Sequence, residues 1–176
     1  KTIIMDINEP QPPIDMEIFS KEVSCRIHYV FRSEVLIDQL FTKKEPFSDF
    51  LLSWDTAIDE ALKDPNCKGL KSAIAYYSGL DVHPRSKDEA RKSYEAYQQN
   101  PTASPREKYK PLLDYLFIRA IEKTIHFDKV LQIHTGMGGA DTIGEPHPMC
   151  LFELLKRAPF SSAKVVLVHS GYPWVS

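Results

Sequence analysis

Two short apolar runs that end in the same pattern constrain the fold of this chain more than any other feature. Val130-Leu131-Gln132-Ile133 leads into His134-Thr135-Gly136, and Val165-Val166-Leu167-Val168 leads into His169-Ser170-Gly171. A β-branched run that is stopped by a small polar residue and a glycine is typical of a buried parallel strand entering a loop. Each histidine is therefore predicted at the carboxyl end of a strand, where the active sites of α/β folds lie.

The spacing between the two runs predicts that these strands are neighbours. The intervening chain has room for about one helix and one strand, which is enough for a single right-handed crossover between parallel strands. Neighbouring strands lie about 4.8 Å apart. Two imidazoles at adjacent strand ends can share one metal ion.

Composition bounds the class of protein and its partners. The 176 residues fit one domain, and 22 Lys and Arg against 24 Asp and Glu leave no basic field to attract nucleic acid or an anionic membrane surface. No apolar stretch approaches the roughly 20 residues that span a bilayer. Cys25, Cys67 and Cys150 are odd in number and far apart, which favours reduced thiols and a cytoplasmic protein. We expect a small-molecule substrate, no nucleic acid and no membrane partner, with homo-oligomerisation left open.

Four strands are predicted to alternate with helices, which is α/β order. They lie near Arg26 to Arg32, from Gly69 to Ala75, and at the two runs that end in histidine. Between the first two strands, apolar residues recur at helical spacing and predict one helix packed on the sheet: Phe47, Phe50, Leu51, Trp54, Ile58 and Leu62. Two S-x-x-E capping boxes, at Ser86 and Ser104, predict two further helices in an unusually long crossover before the third strand.

Four parallel strands cannot close an eight-stranded barrel of roughly 250 residues, so the sequence looks like a fragment of such a domain. The second predicted strand carries a lysine, Lys71, with two small neighbours on the same face, Ala73 and Ala75. A lysine inside a central strand is costly to bury unless it is paired or modified. Its side chain can reach the carboxyl end of the sheet and meet the two histidines there.

Four segments of the chain resemble the amidohydrolase-related (amidohydrolase 2) family of metal-dependent hydrolases, in its FluG-like branch. These segments are Phe31-Arg32-Ser33-Glu34, Gly69-Leu70-Lys71-Ser72-Ala73-Ile74-Ala75-Tyr76-Tyr77-Ser78-Gly79-Leu80, Leu131-Gln132-Ile133-His134-Thr135-Gly136 and Val168-His169-Ser170-Gly171-Tyr172-Pro173. The resemblance implies an α/β fold that is part of a TIM-type (β/α)8 barrel, roughly strands three to six with a helical insertion. Residues 1–176 would then be the central part of one barrel domain, without its first and last strands.

The resemblance also implies a metal site. Lys71, His134 and His169 match the family's metal ligands on strands four, five and six, whereas its first-strand H-x-H and eighth-strand aspartate, the general base, are absent from this chain. The expected cofactor is a divalent metal, zinc, which would activate water for attack on a C–N bond of amide type. Lys71 would be carboxylated and bind metal, or remain an ammonium that binds an anionic substrate. Arg32 would hold a substrate carboxylate, and Tyr76 or Tyr77 would line the pocket.

Three functions stay open at this point. A metal-dependent hydrolase is the first, a decarboxylase or lyase with the same metal cage is the second, and a non-catalytic module of a glutamine-synthetase-like fusion protein is the third. By itself this chain is expected to be inactive.

The remaining candidates have simpler interpretations. His28, His83, His126 and His147 are expected to be structural or solvent-facing, and Glu34 and Asp141 to be surface carboxylates. The glycine-rich segment Thr135-Gly136-Met137-Gly138-Gly139 lacks the dinucleotide-binding spacing and the P-loop lysine, which argues against a nucleotide site.

Overall fold

The structure, a computed structural model, describes residues 1–6, 15–99, 105–136 and 147–173. Its elements, in chain order, are β1 (Thr2–Asp6), α1 (Met16–Glu22), β2 (Arg26–Arg32), α2 (Ser33–Thr42), α3 (Phe47–Lys63), β3 (Cys67–Ser72), α4 (Ile74–Tyr77), α5 (Lys87–Gln99), α6 (Pro105–His126), β4 (Val130–His134), α7 (Phe152–Leu155) and β5 (Lys164–Val168). Three 3-10 turns span Pro148–Leu151, Phe160–Ser162 and His169–Gly171. Over the described ranges, every helix is too short or too polar to cross a membrane.

The five strands form one parallel sheet in the order β1-β2-β3-β4-β5. The α/β class and the parallel pairing are as predicted. The assignment to strands three to six of a TIM-type barrel is wrong, because the described sheet has five strands rather than four and its edge strands are β1 and β5.

The two errors in the strand assignment have local causes. The run Thr2-Ile3-Ile4-Met5 pairs in parallel with β2, but it precedes any turn signal that would mark it as a strand. At the other position, β3 ends at Ser72 rather than Ala75, since the chain turns at Ala73 into the short helix α4. An apolar run of this length does not by itself distinguish a strand from a helix.

The helices pack on one face of the sheet, which we call the helix face. Leu70, Leu131 and Ile133 point to this face and are fully buried in the core. The apolar stripe of α3 packs there as predicted, with Phe50, Trp54 and Ile58 completely excluded from solvent. The alternate residues of each strand point to the opposite face, which we call the site face.

The helical insertion between β3 and β4 is present as α5 and α6. The capping box at the start of α5 is formed, because Ser86 N–H donates to Glu89 Oε2 over 2.8 Å and Glu89 N–H donates to Ser86 Oγ over 3.2 Å. The capping box at Ser104 lies outside the described residues. Aromatic rings join the insertion to the core: the Phe41 ring on α2 lies 5.4 Å from the Tyr94 ring and 5.1 Å from the Tyr109 ring.

A buried carboxylate fastens the loop before α5 to the insertion. Asp114 on α6 is completely buried and accepts hydrogen bonds from Arg85 Nε over 3.2 Å, Lys110 Nζ over 2.9 Å and the backbone N–H of His83 over 3.4 Å. Lys110 Nζ also donates to the Asp81 carbonyl over 2.6 Å. Two cations and one amide therefore compensate one buried charge.

Candidate metal centre

Polar side chains at or beside the carboxyl ends of the five described strands form a row along that edge of the sheet. The row consists of Asp6, Arg32, Lys71, His134 and, directly after β5, His169. The strand register places Arg32 opposite Lys71, Lys71 opposite Gln132, and His134 opposite Val168. Because side chains alternate along a strand, Arg32, Lys71 and His134 all point to the site face.

The two predicted histidine ligands are brought together. The ring centroids of His134 and His169 lie 4.6 Å apart with an angle of 61° between the ring planes. His134 is only 6% exposed, whereas His169 is exposed. The Nε2 atom of His134 is buried and has no hydrogen-bond partner in the described part of the chain. A buried polar atom without a partner is rare and calls for an unseen partner such as an ion.

His134 is held in its neutral form. Burial, together with the neighbouring His169, Lys71 and Arg32, lowers the pKa of His134 to about 4. Its imidazole is therefore uncharged at pH 7 and retains a nitrogen lone pair, which is the form in which histidine binds a metal. The two histidines thus fit a divalent metal ion as two of its ligands.

These two imidazoles are only part of a ligand set. Over the residues that the structure describes, no group of three or more His, Cys, Asp or Glu side chains has an arrangement that could hold a metal ion. Lys71, the third predicted ligand, lies next to His134 in the row and is 6% exposed. Burial lowers the pKa of Lys71, the charge of Arg32 acts in the same direction, and the charges of Asp6 and Glu34 oppose them.

The two similar loops after β4 and β5 each contain a glycine in a left-handed backbone conformation. Gly136 and Gly171 both have positive φ, 82° and 68°, which explains the glycine in each motif. His169 and Ser170 also have positive φ, 66° and 54°, an uncommon conformation for residues with a side chain. Such strained residues are concentrated at functional sites. The loops are joined because Thr135 Oγ1 donates to the Val168 carbonyl over 2.8 Å.

We expect Gly136→Ala to destabilise the protein by more than about 2 kcal/mol. A Cβ atom at this position would lie 2.4 Å from the Tyr172 carbonyl oxygen, and the left-handed backbone adds its own cost. Chemical denaturation of the two proteins measures the loss. Ser170→Gly is the matched control, because it removes a side chain from a residue with a left-handed backbone and should not lower the free energy of unfolding. Equal stability of Gly136→Ala and the native protein would contradict the prediction.

Arg32 is held by a carboxylate that the sequence did not single out. Its Nε and Nη2 atoms donate to Asp6 Oδ2 over 3.0 and 2.5 Å, and both side chains are largely buried. Asp6 was missed because β1 itself was missed. The signal was present, since a β-branched run ends there in an acidic residue. The predicted contact of Arg32 with a substrate carboxylate stays a prediction.

The two predicted pocket tyrosines take different positions. The Tyr76 ring lies 4.1 Å from the His134 ring, and Tyr76 is 39% exposed. Tyr76 therefore covers one side of the histidine pair. The Tyr77 hydroxyl donates to Asp38 Oδ2 over 3.4 Å, so Tyr77 lies toward α2 and away from the histidines.

Glu34 is buried, contrary to the expectation of a surface carboxylate. It is 4% exposed in the first turn of α2, and Ser72 Oγ donates to its Oε1 over 2.6 Å. Burial raises the pKa of Glu34 above its ordinary value, although the hydrogen bond from Ser72 opposes the shift.

The raised pKa predicts how Glu34 affects stability. The stability that comes from proton binding is fully present below the ordinary glutamate pKa of about 4.3 and is lost as pH rises through the higher pKa of the folded state. We therefore expect Glu34→Gln to match the native protein in acid and to become progressively more stable than it toward neutral pH. Urea denaturation at a series of pH values measures this difference. A difference that is constant with pH would contradict the prediction.

The other histidines are mainly structural, as expected. His147 Nδ1 accepts from the Met149 N–H over 3.0 Å at the start of a 3-10 turn, His83 Nε2 lies 3.1 Å from Asp81 Oδ2, and His126 ends α6. His28 points to the site face from within β2, and its Nδ1 is buried without a partner in the described ranges. Asp141 and most of the glycine-rich segment lie outside the described residues.

Comparison with known proteins supports part of the resemblance. The chain is 30% identical over 138 residues to Protein fluG of Emericella nidulans, an alignment that covers 73% of this chain and 16% of that protein. A crystal structure from Lactobacillus casei ATCC 334, of a protein called a "putative metal-dependent hydrolase", matches with a TM-score of 0.85 and 27% identity over 99% of this chain and 46% of that one. No family model matches the chain.

The two matches bear on different parts of the prediction. The FluG-like part is supported by the identity to Protein fluG, whereas the amidohydrolase-related assignment stays a prediction. The chain spans about half the length of the Lactobacillus protein and about one sixth of Protein fluG. The chain is thus similar in sequence to part of Protein fluG and in fold to part of a protein named as a metal-dependent hydrolase.

Proposed function

We propose that this chain supplies part of the active site of a metal-dependent hydrolase, in which His134 and His169 bind a divalent metal ion. The observation that carries the proposal is the pair of imidazoles 4.6 Å apart at adjacent strand ends, one of them with a buried Nε2 that lacks a partner in the described part of the chain. The name given to the Lactobacillus protein supports the same activity.

Zinc is the metal we propose, and the substrate is a small molecule with a C–N bond of amide type. Imidazole ligands suit zinc, and a bound zinc ion polarises a carbonyl and lowers the pKa of a water molecule to about 7. The exposed His169 faces solvent, whereas His134 is enclosed, so one side of the pair is accessible to a substrate.

The neighbouring side chains have separate roles in this proposal. Lys71 would be the third ligand once its uncharged amine has added CO₂ to form a carbamate with release of one proton, and its lowered pKa favours that uncharged amine. Arg32, oriented by Asp6, attracts an anionic group of the substrate, because a guanidinium binds carboxylates in a planar geometry. Tyr76 covers the histidine pair on the side of α4 and excludes water there.

Metal analysis of the full-length protein tests this function. We expect about one or two zinc-like ions per chain, loss of hydrolysis of a panel of N-acyl amino acids and cyclic amides after chelation, and recovery on addition of Zn²⁺. Release of CO₂ from carboxylated substrates without amide hydrolysis would replace the hydrolase with a decarboxylase. A folded protein that contains no metal and regains none would overturn the proposal.

A further inference from the structure

Glu34 lies behind the candidate site, on the helix face of the sheet. It begins α2 directly after Arg32, and its carboxyl group reaches the end of β3. Glu34 Oε2 is buried without a hydrogen-bond partner in the described ranges. Burying a carboxyl group with incomplete hydrogen bonding costs stability, whereas an apolar side chain of the same size would not. Packing alone therefore does not explain this residue.

The carboxyl group of Glu34 organises the turn between β3 and α4. Ser72 Oγ donates to Glu34 Oε1 over 2.6 Å and accepts from the Ile74 N–H over 3.2 Å. The hydrogen bond to Glu34 fixes the orientation of the Ser72 hydroxyl group. A lone pair of Ser72 Oγ then points to the Ile74 N–H, the first of α4. A four-residue helix has few internal hydrogen bonds, and this bond therefore matters for its direction.

Helix α4 in turn places a side chain on the candidate metal ligand. The Tyr76 N–H donates to the Ala73 carbonyl over 2.9 Å, and the Tyr76 ring packs 4.1 Å from the His134 ring. Ser33, next to Glu34, donates from Oγ to the Lys71 carbonyl over 3.4 Å. The start of α2 thus contacts the backbone of one candidate ligand and acts through α4 on the other.

We propose that Glu34 is a positioning residue of the candidate metal centre, acting through Ser72 and α4 to hold Tyr76 against His134. The expected consequence is tighter metal binding, and this part of the inference rests on the proposed function. The structural part of the inference concerns only the packing of Tyr76 on His134 and is testable without metal.

The metal-free test uses the His134 ring protons in the full-length protein, observed by NMR with histidine-selective ¹³C labelling. A tyrosine ring at this distance shifts those signals through its ring current, and Tyr76→Leu defines the signal without that effect. Glu34→Gln keeps an acceptor for Ser72 and should retain the native shift. Glu34→Leu and Ser72→Ala should move the signal toward its position in Tyr76→Leu. Native shifts in both disruptive variants would overturn the inference.

The second test measures Zn²⁺ affinity by competition with a chromophoric chelator. We expect Glu34→Leu and Ser72→Ala to lose affinity by about 10–100-fold, as is usual when a residue that orients a ligand is removed, whereas Glu34→Gln should stay near the native value. Leu62→Ala is the control for a general loss of stability, because Leu62 is buried in α3 and is not one of the site residues. Unchanged affinity in both disruptive variants would overturn the inference, as would an equal loss in Leu62→Ala. If the native protein binds no Zn²⁺, the proposed function fails, and the NMR result alone decides the role of Glu34.

Discussion

Replacing His134 with alanine should lower the Zn²⁺ affinity of the full-length protein by more than about 100-fold, because even residues that only orient a ligand cost about 10–100-fold. His134 is the enclosed member of the pair, and its imidazole is neutral at pH 7 because burial and nearby cations lower its pKa to about 4. A metal ion therefore does not have to displace a proton from it at neutral pH. The same substitution should abolish the hydrolase activity that depends on that metal.

The measurement is a competition titration with elemental analysis of the purified protein. His169→Ala should also lose metal, since the centroids of the two imidazole rings lie only 4.6 Å apart. His126→Ala and His83→Ala are matched controls, because these histidines lie at the end of α6 and beside Asp81, away from the pair. Full metal content in folded His134→Ala would exclude this histidine as a ligand.

The sequence alone was sufficient to predict the position of the histidine pair. A β-branched run followed by a polar residue and a glycine predicts a strand and its end, and the parallel order then predicts that both ends meet. These signals are local, and each lies within a few residues. The two glycines are explained by the left-handed backbone that the loops adopt after the histidines.

Features that depend on tertiary contacts were not predictable. Asp6 became relevant only through β1, a strand whose pairing with β2 the sequence does not reveal. Glu34 was expected at the surface because nothing in its own segment shows that the end of β3 packs over it. Tyr76 and Tyr77 are adjacent in sequence, yet the turn into α4 sends one toward His134 and the other toward Asp38.

The long insertion depends on another feature that was not predicted, the ionic cluster around Asp114. We expect the double substitution Arg85→Met and Lys110→Met to destabilise the full-length protein by about 3–5 kcal/mol. Among the described residues, it leaves the completely buried Asp114 carboxylate with only the His83 N–H over 3.4 Å as a partner, after removing donors at 3.2 and 2.9 Å. An unpaired charge at a buried site costs far more than the pair contributes.

Adding Asp114→Asn to that double variant should restore most of the lost stability, because the side chain keeps its shape and an oxygen for the His83 N–H but loses the charge. Urea denaturation midpoints of the native protein and the double and triple variants separate the two effects. The matched control is Arg91→Met with Lys92→Met, which removes two cations from exposed ion pairs on α5 and should change stability little. Only the charge explanation predicts this recovery. If the triple variant is as unstable as the double variant, the loss of stability comes from lost packing of the long side chains and not from an unpaired charge.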